Sequence, residues 1–430
     1  MIKSLMKKIA ILIIFYYLSL SLMACSEGPI KVEIVKQDTG FKLLRDGKPY
    51  FIKGAGLEFG EPKSLSEHGG NSMRSWSTKN AQEMLDKAHK SGVTVSLGLQ
   101  VKPERWGFDY SDEALVKKQF EFAKQEVLKY REHPAVLTWI IGNELNHSYT
   151  NPQVYDAVND ISKMIHELDP NHPTTTTIAG IREEEIKLVN DRAADLDFIS
   201  IQVYGLLDSL PAFLKKINYQ EPLMVTEWGA IGYWEMESTS WGAPIEMTST
   251  EKANNYLKGF QQKLKSLGTQ LIGNYVFLWG QKQERTPTWF GLFTESGEYT
   301  EASDVMYFLW NDKWPDNRAP KLNSMLLDNK HSRDNIILSP AQAYTAQVIS
   351  TDLDDDPLRY HWEIKVESGS KNEGGDFEEN IENLEGLITE NNASELNFIA
   401  PSSEGAYRLF VYVYDDKENA AHANIPFYVK

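Results

Sequence analysis

The sequence predicts an α/β fold, a (β/α)8 barrel, followed by a small all-β sandwich. Two observations support the barrel and one supports the sandwich. Eight short apolar runs, most of them separated by amphipathic helical segments, extend over about 270 residues. Three of these runs end in a glutamate, at positions 58, 144 and 227. After Lys313 the helical periodicity stops, and runs that alternate apolar and polar residues follow.

Residues 1–24 have the pattern of an export signal. Basic residues precede the apolar segment Ile9–Leu22, which is too short for a membrane-spanning helix. The following Leu22-Met-Ala-Cys25 resembles the lipobox of bacterial lipoproteins, and Cys25 is the only cysteine. We expect a lipid on Cys25, no disulfides, and a location at the outer membrane or cell surface, or facing the periplasm. A plain secretory peptide with an incidental cysteine is the alternative.

Residues 30–315 form the predicted barrel domain. Its first segment, Ile30–Lys53, alternates around an Asp46-Gly47 turn and predicts a β-hairpin that plugs the barrel floor. The predicted strands lie in Phe51–Glu58, Ser72–Trp76, Val93–Leu99, Val136–Glu144, Thr174–Ala179, Leu196–Tyr204, Leu223–Glu227 and Leu271–Trp279. The clearest helical segments are Lys79–Ser91, Ser111–Arg131, Pro152–Leu168 and Thr250–Leu267.

Residues 319–430 form the predicted sandwich, after a linker at residues 314–321. Its alternating runs are Ala346–Ser350, Leu358–Ile364, Glu395–Ile399, Tyr407–Tyr414 and Asn424–Val429. The acidic turn Asp352–Asp356, taken with Val411–Asp416, resembles polycystic-kidney-disease-type and cadherin-like repeats. It is either a calcium site or a solvated turn. We expect a long or poorly ordered loop at Gly369–Asn392 and no catalytic role for this domain. It is either a spacer that lifts the barrel from the membrane or a packed wall of the cleft.

The two glutamates at strand ends are the strongest candidates for chemistry. Glu144 follows the apolar run Leu137–Gly142, and Glu227 ends the run that starts at Pro222. Barrel enzymes carry their chemistry at the C-terminal ends of the strands, so both carboxylates should face one barrel mouth. Such a pair suits cleavage of a glycosidic bond, where one carboxyl protonates the leaving oxygen and the other attacks or activates water.

Composition excludes several classes of ligand. The formal net charge of -17 disfavours nucleic acid and anionic membranes. A neutral polysaccharide or oligosaccharide is the easier ligand, and a uronate polymer would need a local basic patch. The nine histidines show no metal-ligand spacing, and no phosphate loop or serine elbow occurs. We therefore expect no cofactor, no metal, no nucleic acid, a monomer, and membrane contact only through the lipid.

Aromatic residues are plentiful, with 11 Trp and 20 Tyr. Their rings either stack on sugars or simply fill a large barrel core. The candidates on predicted loops near the barrel mouth are Trp76, Trp106, Trp228, Trp234, Trp241 and Trp289. Two polar residues are further candidates: Glu58 as a ligand of a sugar hydroxyl, and His147 as a neighbour that tunes Glu144 or as an ordinary loop residue.

The motifs Gly142-Asn143-Glu144 and Thr226-Glu227-Trp228-Gly229 resemble those of the retaining glycoside hydrolases of clan A, closest to families 2 and 5. The resemblance implies that Glu144 is the acid/base and Glu227 the nucleophile. It also implies sugar-binding or positioning roles for other residues at strand ends: Arg74, Asn143, Tyr204 and Trp279. Arg74 and Tyr204 would keep Glu227 ionised, Asn143 would bind the 2-hydroxyl, and Trp279 would form the floor under the sugar. The structural alternatives are an ion pair for Arg74, a strand-end cap for Asn143 and a core residue for Trp279.

The resemblance implies a retaining glycoside hydrolase that cleaves a β-linked glucan by double displacement. The barrel with one immunoglobulin-like domain behind it is similar to family 158 β-1,3-glucanases, which makes β-1,3-glucan the leading substrate. Family 2 enzymes carry sandwich domains ahead of the barrel, so exo-acting galactosidase or glucuronidase activity is doubtful here. Alternatives are another β-glycan such as mannan or galactan, a transglycosylase, and a non-catalytic glycan-binding lipoprotein.

Overall fold

The computed structural model describes residues 28–57, 60–371 and 374–430. The predicted lipidation site Cys25 and the predicted sugar ligand Glu58 lie outside these residues. Within the described ranges, no helix combines the length and apolar character needed to cross a membrane.

Eight parallel strands close into a barrel in chain order, which confirms the predicted fold and all eight strands. Most of their residues are buried, because helices cover the outside and side chains fill the inside. The strands are β4 (Ile52–Gly56), β5 (Ser72–Arg74), β6 (Thr94–Leu99), β7 (Val136–Ile141), β8 (Thr174–Ala179), β9 (Phe198–Gln202), β10 (Leu223–Gly229) and β11 (Leu271–Phe277).

Helices surround the barrel. Asp112 caps one of them by accepting hydrogen bonds from the amides of Ala114 and Leu115. The predicted helix over Thr250–Leu267 is α-helical only to Lys258, continues as a π-helical turn over Gly259–Leu264, and ends in a 3-10 segment. The α-helices are α1 (Pro62–Glu67), α2 (Ala81–Lys90), α3 (Glu113–Tyr130), α4 (Gln153–Leu168), α5 (Glu183–Arg192), α6 (Leu210–Lys216), α7 (Ser249–Lys258) and α8 (Glu301–Asn311).

A small antiparallel sheet lies under the barrel. Its strands are β1 (Val32–Gln37), β2 (Gly40–Arg45) and β3 (Lys48–Pro49). Val32 and Leu43 pack with the buried barrel residues Ile52, Leu137 and Met224, so the sheet plugs the floor as expected. The sheet contains two turns, because residues 38–39 join β1 to β2 and Asp46-Gly47 joins β2 to β3.

The rest of the chain forms two sheets packed face to face. One has the order β12-β14-β16 and the other β13-β18-β17-β15, around a core that includes Trp362, Leu409 and Phe427. The sequence reading missed β12 and the two-residue β13. The strands are β12 (Lys321–Leu327), β13 (Ile337–Leu338), β14 (Ala343–Thr351), β15 (Arg359–Val366), β16 (Glu395–Ile399), β17 (Gly405–Tyr414) and β18 (Ala420–Val429).

A buried polar network joins the barrel to the sandwich. Glu246, in the segment after β10, pairs with Lys252 of α7 at 2.5 Å. Asn424 of the sandwich donates to the second oxygen of Glu246 at 2.7 Å. Arg408 of β17 donates to the carbonyl of Pro244 at 2.8 Å. Because buried charges are costly unless paired, these contacts hold the two domains in one arrangement.

Candidate active site

A cleft of about 670 Å³ opens at the C-terminal ends of the barrel strands. Glu144, three residues beyond β7, and Glu227, inside β10, both line it. The structure therefore brings together the two carboxylates that the sequence singled out. Other predicted residues that line the cleft are Trp76, Trp106, Asn143, His147, Tyr204 and Trp234.

Glu227 is buried among four hydrogen-bond donors. Its Oε1 accepts from Arg74 Nη1 at 2.9 Å, Trp76 Nε1 at 2.9 Å and Gln202 Nε2 at 3.0 Å. Its Oε2 accepts from the Tyr204 hydroxyl at 2.7 Å. Burial and the charge of Glu227 raise the pKa of the Tyr204 phenol, so this tyrosine stays protonated and donates. One cation and three neutral donors thus stabilise an ionised Glu227.

Asn143 is oriented through its amide oxygen. This oxygen accepts from Arg74 Nη2 at 2.9 Å, Gln202 Nε2 at 2.8 Å and Thr177 Oγ1 at 3.2 Å. With the oxygen held by three donors, the amide nitrogen is the group left to act as a donor in the cleft. Asn143 therefore presents a donor beside Glu227, as a ligand for a sugar hydroxyl requires.

Glu144 has a different environment. Its backbone is in the left-handed region at φ 48°, which is rare for a residue with a side chain, and its amide donates to Thr177 Oγ1 at 3.0 Å. Burial raises the pKa of Glu144 to about 8, with a further contribution from the charge of Glu227. At neutral pH Glu144 therefore holds a proton that it can give away. Backbone strain of this kind is typical of functional sites.

Trp279 does not reach the cleft, contrary to the prediction that it forms the floor under the sugar. It is fully buried and its indole donates to Ser64 Oγ at 2.9 Å. It packs against His68 and Phe293. The strand β11 ends at Phe277, which lines the cleft in its place.

The remaining tryptophan candidates divide into two groups. Trp106 and Trp234 line the cleft and are 62% and 52% exposed. Trp228 and Trp289 are fully buried in the barrel. Trp241 packs against Tyr428 of the sandwich.

The sequence analysis missed several residues of the cleft. Gln202 ends β9 and lies two residues before Tyr204, so strand alternation could have revealed it. Glu284 and Lys282 follow β11 and form an ion pair at 2.8 Å on the cleft wall. Burial raises the pKa of Glu284. Gly374 and Gly375 of the sandwich also line the cleft, so the second domain contributes to the site.

No arrangement of three or more His, Cys, Asp or Glu side chains suited to a metal ion occurs in the described part of the chain. In the acidic turn considered for calcium, Asp352 Oδ1 accepts from the amides of Asp354 and Asp356 at 2.8 and 3.1 Å. This carboxylate oxygen therefore closes its own turn.

Residues 65–277 match the family model described as glycosyl hydrolases family 2, TIM barrel domain. The barrel is therefore similar to the barrels of glycoside hydrolases. The match covers just under half of the chain and includes Arg74, Glu144, Tyr204 and Glu227. No curated protein matches the sequence significantly.

Several solved structures share the fold of this chain at low sequence identity. The β-glucuronidase of Bifidobacterium dentium complexed with coumarin-3-O-glucuronide has a TM-score of 0.51 and 17% identity, over 67% of this chain and 50% of its own. Bacteroides uniformis β-glucuronidase 2, covalently bound to cyclophellitol-6-carboxylate aziridine, has a TM-score of 0.51 and 14% identity. The match covers 93% of this chain and 48% of that protein. A putative β-galactosidase from Bacteroides fragilis has a TM-score of 0.50 and 14% identity. The match covers 93% of this chain and 57% of that protein. The chain spans about half the length of these proteins.

Proposed function

We propose that the protein is a retaining β-glycosidase in which Glu227 is the nucleophile and Glu144 the acid/base. The observation that carries this proposal is the contrast between two glutamates in one cleft. Glu227 accepts hydrogen bonds from Arg74 and Tyr204, which favour its ionised form. The pKa of Glu144 is raised to about 8, which favours its protonated form. A family 2 barrel match over both residues supports the same assignment.

In the first step, the Glu227 carboxylate attacks the anomeric carbon while the Glu144 proton passes to the glycosidic oxygen. The bond between that carbon and oxygen breaks, the leaving sugar departs, and an ester joins the substrate to Glu227. Asn143 donates to the 2-hydroxyl, a contact that strengthens as positive charge develops on the ring.

Before the second step, Glu227 carries no negative charge, because its carboxylate oxygen is bonded to the anomeric carbon in the ester. The charge of Glu227 is one cause of the raised pKa of Glu144, so this pKa falls and Glu144 can accept a proton. Glu144 takes a proton from water, the water oxygen attacks the anomeric carbon, and Glu227 leaves as a carboxylate. The product keeps the β configuration because two displacements have occurred.

A neutral β-glucan, with β-1,3-glucan first, is the proposed substrate. Four carboxyl groups line the described cleft, from Glu144, Glu227, Glu235 and Glu284, against the three cations Lys102, Arg105 and Lys282. Two of these cations are already paired with carboxylates, Arg105 with Asp376 and Lys282 with Glu284. A uronate would meet little free positive charge in such a cleft, whereas sugar hydroxyls find both donors and acceptors.

The proposed function is tested by incubating the protein with a panel of β-glucans, mannans, xylans and galactans, beside 4-nitrophenyl β-glucoside, β-galactoside and β-glucuronide. The matched variant is Glu227→Gln, and the readouts are reducing sugar and released 4-nitrophenol. We expect hydrolysis of β-1,3-glucan by the unsubstituted protein and none by the variant. Equal activity of both proteins on any substrate would contradict the role of Glu227. Hydrolysis of the β-glucuronide alone would show that the substrate is a β-glucuronide and that the proposed β-glucan substrate is wrong.

We further propose that the protein is exported and anchored by a lipid on Cys25. The lipobox-like Leu22-Met-Ala-Cys25 behind an apolar segment supports this. The test is metabolic labelling with radioactive palmitate in a bacterial host, with Cys25→Ser as the control. Equal labelling of the two proteins would contradict the anchor.

A further inference from the structure

One segment of the sandwich crosses to the catalytic cleft. We define the sandwich loop as residues 367–371 and 374–378, which follow β15. Its first residue, Glu367, is fixed by Arg408, which donates through Nε and Nη2 at 2.8 Å each. This arginine also binds the barrel at Pro244, so the start of the loop is anchored at the domain interface.

Charged barrel residues hold the sandwich loop from two sides. Arg285, in the segment after β11, donates to the carbonyl oxygens of Ser368 and Ser370 at 3.3 and 2.8 Å. Arg105, in the segment after β6, forms an ion pair with Asp376 at 3.1 Å. Because β6 and β11 are separated by β4 and β5 in the barrel, these contacts span part of the cleft mouth.

The loop backbone lies directly on the cleft wall. The amide of Gly375 donates to Glu284 Oε1 at 3.3 Å. A Cβ atom added at Gly374 would lie 3.2 Å from the indole ring of Trp234. A side chain at position 374 would therefore press against this ring.

The residues gathered here suit a sugar. Trp234 offers a half-exposed aromatic face, on which the apolar face of a pyranose can stack. Glu284 and Lys282 offer an acceptor and donors for hydroxyl groups, and both line the same cleft as Glu144 and Glu227. The chemistry of this wall is therefore that of a carbohydrate site beside the catalytic pair.

We propose that the sandwich loop completes a second sugar-binding subsite with Trp234, Glu284 and Arg105. The C-terminal sandwich then selects substrates by the number of sugar units that they contain, and it is a wall of the cleft. The inference rests on the proposed glycosidase function and deepens it. The residues of the subsite bind and position a neighbouring sugar and take no part in bond cleavage.

The test compares a substrate that fills one subsite with a longer one. The probes are 4-nitrophenyl β-glucoside and laminaritetraose, a β-1,3-linked tetrasaccharide of glucose. The variants are Asp376→Ala, which removes the partner of Arg105, and Trp234→Ala, which removes the aromatic face. We expect each variant to lower the ratio of kcat/KM for the tetrasaccharide to that for the aryl glucoside about tenfold.

A surface ion pair supplies the matched control. Asp156 pairs with Arg192 at 2.7 Å on the outer helices of the barrel, with side chains about as exposed as that of Asp376 or more. Asp156→Ala should leave the ratio unchanged.

Two outcomes would overturn the subsite. In the first, the ratio in Asp376→Ala and Trp234→Ala equals that of the unsubstituted protein, while activity is normal. In the second, both substrates lose activity to the same degree. If the unsubstituted protein cleaves neither of the two probes, the proposed glucanase function is refuted, and the inference falls with it.

Discussion

The ends of β7 and β10 carry the same side chain in two opposite environments. Glu227, in β10, accepts four hydrogen bonds, one of them from the buried cation Arg74. Glu144, beyond β7, has a strained backbone and a pKa raised to about 8. The comparison teaches that identical residues acquire different chemistry from the donors that surround them. In the proposed mechanism, Glu227 is the carboxylate that attacks and Glu144 is the carboxyl that gives a proton.

The largest effect is expected from removing the attacking group. Glu227→Ala should lower kcat on the order of 10⁵-fold, because no other carboxylate is held by the same donors. Added azide should restore turnover by attacking from the vacated side, and the glycosyl azide should have the α configuration. The measurement is NMR of the product. A β-glycosyl azide would mean that the two roles have been assigned the wrong way round.

Glu144→Gln should lower kcat about 10³-fold for a natural glycan, because the leaving oxygen no longer receives a proton. A 2,4-dinitrophenyl glycoside should lose far less in its first step, because this phenol leaves without a proton. The measurement is the burst of dinitrophenol in stopped flow. Equal losses for both leaving groups would contradict the role of Glu144 as acid.

Tyr204→Phe sharpens the comparison by removing one donor from Glu227. We expect kcat to fall about tenfold, because a short charge-assisted hydrogen bond to the nucleophile is lost. Tyr256→Phe is a suitable control, because its hydroxyl is buried against the Phe277 carbonyl. If the control loses as much kcat as Tyr204→Phe, the effect is one of packing.

The pH dependence follows from the raised pKa of Glu144. The acid must be protonated, so kcat/KM should fall as pH rises through about 8. The matched variant Glu144→Gln should lack this limb. A fall in kcat/KM that persists in the variant would assign the titration to another group.

The smallest effect is on stability. An unfolded carboxyl loses its proton near its ordinary value of 4.5, whereas folded Glu144 keeps it to about pH 8. The folded protein therefore binds more protons in this window, and its stability falls as pH rises. Glu144→Gln should remove this loss of stability. At pH 8 the Tm of the variant should exceed that of the unsubstituted protein by roughly 2 °C more than it does at pH 5. Thermal unfolding at the two pH values checks the difference.

The sequence was sufficient to predict the barrel and the candidate residues at the ends of its strands. Buried parallel strands read as continuous apolar runs, and helices separate most of them. Residues at the strand ends were therefore found by position, among them Arg74, Asn143 and Tyr204. The same rule could have found Gln202, which shares a face with Tyr204.

The errors arise where the chain leaves regular structure. Trp279 was placed in the cleft by extending the strand, but β11 ends at Phe277 and Trp279 turns inward to Ser64. Glu284 and the sandwich loop were missed because their position depends on contacts between residues some 90 positions apart. No local pattern encodes such a contact, so the sequence left two roles open for the sandwich, a spacer and a wall of the cleft.

The buried ion pair Lys252–Glu246 also determines whether the barrel and the sandwich can be separated. Both side chains are almost fully covered, and Asn424 of the sandwich completes the coordination of Glu246. Cutting the gene at the linker would uncover this pair and remove one of its donors, so an isolated barrel would be an unstable fragment. A fusion of this protein to another scaffold would therefore have to keep the barrel and the sandwich together.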